Sequence, residues 1–220
     1  PRNKRRKRFY CLRKRTQSRL LCFDEDVKSH NMRFVADSGS SPMKKYKEKR
    51  LYAAKKEVLK IVKYNEKYTT SAIEIWNDIV EDGIAFPQTE LLDEKSGNVF
   101  FNSQSFTGIA IDSDSNEIVG LYILHPNNVG RCGHISNASY AVKKDKRGQH
   151  IGEFLVKNCL EKAKEIGFKI LQFNAVVATN TSALKLYKKL GFIQLGKIPN
   201  GFLLKNGKYE DIIPHYIELK

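Results

Sequence analysis

A strand-like run over residues 134–142 gives way to a helical one in which Ile151, Phe154, Leu155, Cys159, Ala163 and Ile166 recur on one face until Gly167. The junction between them reads Arg147-Gly148-Gln149-His150-Ile151-Gly152. This junction constrains the chain more than any other stretch. A helix start leaves about four backbone N–H groups unpaired and carries partial positive charge, so it offers an anion hydrogen bonds and dipole attraction together. Gly148 and Gly152 lack a Cβ, which lets the loop take positive φ and a pyrophosphate come close to the backbone; Arg147 adds a charged fork from the side. A tight turn without a ligand would use the same residues, and the loop alone does not separate the two.

The flanking patterns supply a framework for that loop. Residues 57–63 are β-rich and read as a first strand. Ser71 and Glu74 have the spacing of a capping box, ahead of a stripe formed by Ile73, Trp76 and Val80 that Gly83 ends. Residues 85–101 show no period and are expected to be irregular, with Phe86, Phe100 and Phe101 lining a mouth or packing over the first helix. Phe106–Asp112 and residues 117–125 form a hairpin pattern around Ser113-Asp114-Ser115-Asn116. Residues 170–177 are nearly continuously apolar and read as a central strand. A further helix is expected from Asn180-Thr181-Ser182 to Gly191, burying Ala183, Leu184, Tyr187 and Leu190. Residues 192–197 and 212–219 then add antiparallel strands, with Pro214 at an edge or bulge because proline donates nothing to a ladder.

The charge has to be located before it is interpreted. The 220 residues carry a formal net charge of +15, but residues 1–50 hold 17 Lys/Arg against 5 Asp/Glu, leaving 22 against 19 for the rest. The basic character belongs to the first fifty residues, so the domain itself is not built as a nucleic-acid binder. Residues 1–42 are expected to be a disordered basic tail: either a nuclear-localisation or polyanion-binding arm, or an extension ahead of a start at Met43. The folded domain is expected over residues 43–220, with 41% hydrophobic content sufficient for one core. Cys11, Cys22, Cys132 and Cys159 show no CxxC spacing, which argues against a disulfide framework or zinc site and for a reducing, cytoplasmic setting. No apolar run reaches the roughly 18–20 residues needed to cross a bilayer, so no membrane partner is expected.

Tyr140-Ala141-Val142, the Arg147 loop, Asn180-Thr181-Ser182-Ala183 and Leu186-Tyr187-Lys188-Lys189-Leu190-Gly191-Phe192 together resemble the GNAT superfamily of acetyl-CoA-dependent N-acetyltransferases. The likeness covers about residues 57–220. It implies an α/β fold with a mixed, mostly antiparallel sheet splayed at its centre and flanked by helices, and acetyl-CoA as co-substrate with no metal. By the same likeness, Ala141, Val142, Arg147, Gly148, Gln149, His150, Ile151, Gly152 and Asn180 would bind acetyl-CoA. His150 stands where the family's loop has its central glycine. Ser136-Asn137-Ala138-Ser139, Gln172-Phe173-Asn174 and Pro199-Asn200-Gly201-Phe202 look like the branch that includes the fungal acetyltransferase acting on proline analogues such as azetidine-2-carboxylate.

Acetyl transfer requires a neutral amine, a group to hold the oxyanion, and a proton for the departing thiolate. The resemblance puts Tyr187 in the place of the proton donor; a core tyrosine at helical spacing is the alternative. The splayed strands would leave backbone groups free for the pantetheine arm and the oxyanion. Asn137 and Asn174, one on each side of the cleft, can bond a small amine or amino-acid-like substrate without adding charge, or satisfy backbone exposed where the strands part. No residue stands out as general base, and His134 reads as structural. The expected function is acetyl transfer to a small amine. The alternative is a catalytically impaired acyl-CoA-binding or polyanion-binding protein, in which His150 has spoiled the loop or the basic arm is the working part. A homodimer is left open.

Overall fold

A computed structural model describes residues 58–220; the expected tail and the domain boundary at residue 43 lie outside the described residues. The chain runs β1 (Leu59–Lys63), α1 (Thr69–Asp82), α2 (Glu94–Asn102), β2 (Phe106–Asp112), β3 (Ile118–Pro126), β4 (Ile135–Val142), α3 (Ile151–Ile166), β5 (Ile170–Phe173), α4 (Thr181–Leu190), β6 (Ile193–Gln194), β7 (Ile198–Leu203), β8 (Tyr209–Ile212) and β9 (His215–Glu218). Seven strands form one sheet in the order β1-β2-β3-β4-β5-β9-β6, and β7 and β8 make a separate hairpin. Every neighbouring pair in the large sheet is antiparallel except β4 and β5, which are parallel and paired only through Ile135 with Ile170 and Ser136 with Leu171. Beyond Ser136 the two strands part.

Each face of the sheet carries its own core. On one face α3 packs through Ile151, Phe154, Leu155, Cys159 and Ala163 onto Leu124, Ala138, Leu171 and Phe173, with Leu184, Tyr187 and Leu190 of α4 closing the side. On the other, Ala72, Ile75, Trp76, Ile79 and Val80 of α1 meet Phe101, Ile109, Leu121 and Ala141. Trp76 is 1% exposed and lies 4.4 Å from Phe86, 5.0 Å from Phe100 and 6.0 Å from Phe101 between ring centroids. Burying aromatic side chains of that size contributes about 2–3 kcal/mol each.

The structure corrects four expectations. The helix near Ser71 begins two residues earlier, at Thr69, after a 3₁₀ turn over Glu66–Tyr68 whose Asn65 side chain accepts from Lys67 N–H; Ser71 and Glu74 are therefore interior and form no capping box. Residues 85–101 are not all irregular, because α2 starts on a genuine capping box between Asp93 and Ser96. Gly97 lets α2 approach α1, since a Cβ there would stand 2.6 Å from Ile73 Cδ1. The expected strand over 170–177 stops at Phe173; Val177 returns as a single bridge to Ile212. Last, the expected strand over 212–219 is broken: Ile212 ends β8, which pairs with β7 in a separate hairpin, and Pro214 lies between β8 and β9, its carbonyl accepting from Leu195 N–H. No helix among the described residues is long and apolar enough to cross a membrane.

Candidate active site

The parting of β4 from β5 leaves one side of β4 without a strand partner. Asn127 N–H donates to Ile135 C=O and Lys143 N–H to Val119 C=O, so odd-numbered residues of β4 spend their backbone groups on β3. By alternation, the backbone N–H and C=O groups of Ala138, Tyr140 and Val142 turn into the gap. Of the two residues expected there, Val142 offers its backbone to the gap, whereas Ala141 is turned to β3 and its side chain is fully buried against α1.

The gap opens onto the start of α3. Gly148 has φ +78° and His150 φ +64°, both left-handed, and no side chain caps the helix. The first-turn N–H groups of Ile151, Gly152 and Glu153 thus point away from any intrahelical partner. A Cβ on Gly148 would meet nothing within 4 Å, and one on Gly152 only Leu186 and Val142 at 3.9 Å, so these glycines leave an open cradle instead of packing against protein. His150 takes the conformation that glycine would take there, and histidine tolerates it better than most residues. Its ring turns to Glu153, with Nδ1 3.6 Å from Oε2. Ile151 is 2% exposed and contributes its side chain to the core and its N–H to the helix start. Gln149 is exposed.

The cations on the segments next to the cradle are each held by an acid. Arg147 Nη2 bonds Asp82 Oδ2 at 3.1 Å and Lys144 Nζ bonds Asp82 Oδ1 at 3.4 Å. Burial pushes the Asp82 carboxyl up, but these bonds outweigh it and hold it below the usual range. Glu117 pairs with both Lys143 and Lys146. Glu153, 6% exposed, accepts from Lys157 and from Lys189 of α4, each at 2.9 Å; burial raises its pKa and the two lysines lower it further than burial raises it. Arg147 beside the loop, two backbone positions at positive φ and an uncapped helix suit a pyrophosphate well.

Across the gap, α4 starts at Asn180, whose side chain accepts from Ala183 N–H at 3.1 Å and so serves first as the helix cap. Tyr187 sits two turns on, its ring 4.5 Å from Phe173, 5.3 Å from Phe192 and 6.0 Å from His215. Burial raises its pKa above the ordinary phenol value, so it remains protonated through neutral pH and has a proton to give. Tyr140, on β4, carries the one buried side-chain oxygen among the described residues without a hydrogen-bond partner. Cys159 is fully buried and its thiol is pushed up to about 12 by burial, which removes it as a nucleophile.

At the apex of the splay the structure brings Asn137 and Asn174 together, but through a third residue. Asn174, just past β5, exchanges hydrogen bonds with Asn127 at 2.7 and 3.2 Å, and Asn137 Nδ2 donates to Asn127 Oδ1 at 3.3 Å. Asn127 was missed because His125-Pro126-Asn127-Asn128 reads only as a turn. Asp82 was missed because it looks like any acidic residue near a helix end. Among the described residues no group of three or more His, Cys, Asp or Glu could hold a metal ion.

The model of the Acetyltransferase (GNAT) family matches residues 72–192, more than half of the chain and all of the elements that frame the gap. The chain belongs to the GNAT family. It is 36% identical over 100 residues to N-acetyltransferase aca1 of Schizosaccharomyces pombe, covering 46% of this chain and 47% of that protein, so it spans about half the length of that relative. A GCN5-related N-acetyltransferase from Kribbella flavida superposes with a TM-score of 0.69 at 27% identity, covering 74% of this chain and 99% of the other. The fold is also that of yncA from Salmonella typhimurium, a structure with its cofactor acetyl-CoA, with a TM-score of 0.68 at 15% identity over 74% of this chain and 94% of that one. In this GNAT domain a Cβ on Gly152 would lie 3.9 Å from both Val142 of β4 and Leu186 of α4, so the cradle adjoins the splayed strand and the helix that carries Tyr187.

Proposed function

We propose that the chain is an N-acetyltransferase that moves the acetyl group of acetyl-CoA onto the amine of a small, amino-acid-like molecule. The observation that carries this reading is the gap between β4 and β5, which runs from an uncharged amide cluster at one end to an uncapped helix start with Arg147 beside it at the other. Acetyl-CoA, when bound, supplies an activated acyl group on a thiol leaving group.

The chain's residues then have distinct tasks. The N–H groups of Ile151, Gly152 and Glu153, with Arg147, hold phosphate oxygens. The inward backbone groups of Ala138, Tyr140 and Val142 align the pantetheine arm, and one N–H of that set faces the carbonyl oxygen as charge develops on it. Asn137 Oδ1 accepts from the amine N–H and the remaining N–H of Asn174 donates to an oxygen of the acceptor, so that the amine lone pair is left to face the carbonyl carbon. As the new C–N bond forms and the C–S bond breaks, Tyr187 gives its proton to the sulfur, and the proton lost by the amine restores the phenol through solvent. The left-handed backbone at His150 lets the loop keep the path that a glycine would give it, so the histidine does not bar acetyl-CoA from the loop.

The likeness of the Asn137 and Asn174 segments to the branch acting on proline analogues supports a secondary amine such as azetidine-2-carboxylate among the acceptors, and a cytoplasmic setting accords with it. The test is an acetyl-CoA titration followed by thiol release over a panel of free amino acids, cyclic imino acids and polyamines. Turnover confined to the amino-acid-like members is the expected result. Tight acetyl-CoA binding without turnover on any amine would overturn the reading in favour of a binding protein.

A further inference from the structure

The amide cluster at the apex of the splay contains more than the two asparagines that face each other across it. Asn127 follows β3, and its backbone N–H to Ile135 C=O bond of 2.8 Å fixes it as an extension of the β3–β4 ladder. Residue 127 lies opposite 135 and residue 137 opposite 125, so the side chains of Asn127 and Asn137 share one face of the sheet. Gln172 of β5 joins them by donating Nε2 to Asn174 Oδ1 at 2.9 Å.

Counting lone pairs shows what this does. Asn127 Oδ1 accepts from Asn137 Nδ2 at 3.3 Å and from Asn174 Nδ2 at 2.7 Å. Asn174 Oδ1 accepts from Asn127 Nδ2 at 3.2 Å and from Gln172 Nε2 at 2.9 Å. A carboxamide oxygen has two lone pairs, so both oxygens are saturated within the protein. Asn174 is left able to offer only one N–H. Asn137 is left with one N–H and with its Oδ1, which no described residue engages. Between them Asn137 and Asn174 are left with two donors and one acceptor on neutral groups, beside one further N–H on Asn127 and the Oε1 and second N–H of Gln172; the pair matches a molecule carrying a carboxylate or carbonyl oxygen beside an amine N–H.

We propose that Asn127 is a positioning residue for the acceptor: by saturating one oxygen and bridging two strands, it fixes which atoms Asn137 and Asn174 present, and so selects an acceptor bearing an amine next to a carboxylate. This rests on the proposed acetyl transfer. Asn127 touches neither the acetyl group nor the acceptor. Without it, Asn174 Nδ2 and Asn137 Nδ2 each lose an acceptor; the Asn137 carboxamide is then free to rotate, Asn174 is held by Gln172 alone, and the donor pattern is loosened.

The test is a double-mutant cycle with Asn127→Leu and Asn174→Ala, read on a cyclic imino acid and on a simple amine without a carboxylate. Asn127→Leu is expected to raise KM for the imino acid by about tenfold, the size of one or two lost hydrogen bonds, with the acetyl-CoA Kd unchanged and KM for the simple amine raised clearly less. In the Asn174→Ala background the same substitution should add clearly less than in wild type, because one of the two residues it acts through is gone and only Asn137 is left to lose its anchor. Full additivity, or an equal rise for both amines, would overturn the proposal while leaving acetyl transfer intact. Side-chain ¹⁵N–¹H spectra decide the matter without turnover: separate, slowly exchanging carboxamide signals for Asn137 and Asn174 that merge toward free-amide values in Asn127→Leu support it, and signals unaltered by the substitution refute it. A wild type inert toward every amine would sink the acetyl-transfer reading, and the spectra would still judge Asn127.

Discussion

Arg147 Nη2 lies 3.1 Å from Asp82 Oδ2, so the guanidinium beside the helix start is paired with the last residue of α1. That carboxylate also takes Lys144, and it competes with any anion arriving at the loop. Arg147→Ala should weaken acetyl-CoA binding by about 10- to 100-fold, the range of a charge-assisted contact. Asp82→Asn should tighten it severalfold at low ionic strength and lose that advantage in high salt. Isothermal titration at two salt concentrations checks both, and an Asp82→Asn variant that binds more weakly would show that the pair serves the site rather than competing with it.

His150 holds a left-handed backbone at the N-terminus of α3. A residue with a Cβ is strained there by about 1 kcal/mol relative to glycine. His150→Gly should leave the thermal midpoint equal or higher, despite losing the contact to Glu153, and leave acetyl-CoA affinity equal or better. His150→Val should lower the midpoint, because a β-branched residue is an outlier in this region. Loss of binding in His150→Gly would make the imidazole a ligand contact.

Tyr187→Phe should reduce turnover by about 10²- to 10⁴-fold with little change in stability, because the contacts that fix the ring are aromatic and survive the substitution. Tyr140→Phe provides the contrast. Its buried hydroxyl has the Cys159 thiol beside it as its sole polar neighbour among the described residues, a weak acceptor, so removing it should change the stability of the free protein by less than about 1 kcal/mol. Turnover and chemical denaturation measured on the same preparations separate the two phenols.

Glu153 joins α3 to α4 through Lys189. Its folded pKa is depressed, so the stability it supplies is fully present above its unfolded pKa of about 4.3 and is lost as pH falls through the lower folded value. Wild type should therefore lose more stability than Glu153→Gln between about pH 5 and 3. At neutral pH, Glu153→Gln should cost about 1–3 kcal/mol, because a buried acceptor of two lysines is neutralised. Urea denaturation across that pH range gives both numbers.

Much of this arrangement was legible where local chemistry and tertiary structure agree. The apolar stripe from Ile151 to Ile166, bounded by a glycine loop and by Gly167, gave α3 to the residue, and the turn at 113–116 gave the β2–β3 hairpin. Legibility failed where contacts distant in sequence decide. Gly97 reads as a helix breaker until Ile73 is seen to need its space. Thr69 starts α1 because its hydroxyl donates to Glu66 C=O and engages the Tyr64 hydroxyl, neither of which a capping pattern reveals. The amide cluster depends on β3, β4 and β5 converging, and no short motif encodes that.

Only two residue pairs join β4 to β5. The halves of the sheet are consequently two hydrogen-bonded plates held mostly by side chains beneath α3 and α4. Hydrogen bonds enforce a nearly fixed spacing, whereas packed side chains admit changes of volume one methylene at a time. The width of this cleft is thus a property that core substitutions at positions such as Leu155, Leu171 or Phe173 can tune gradually, without altering the register of any strand. Acceptor size in a domain of this shape can drift through residues that never meet the acceptor.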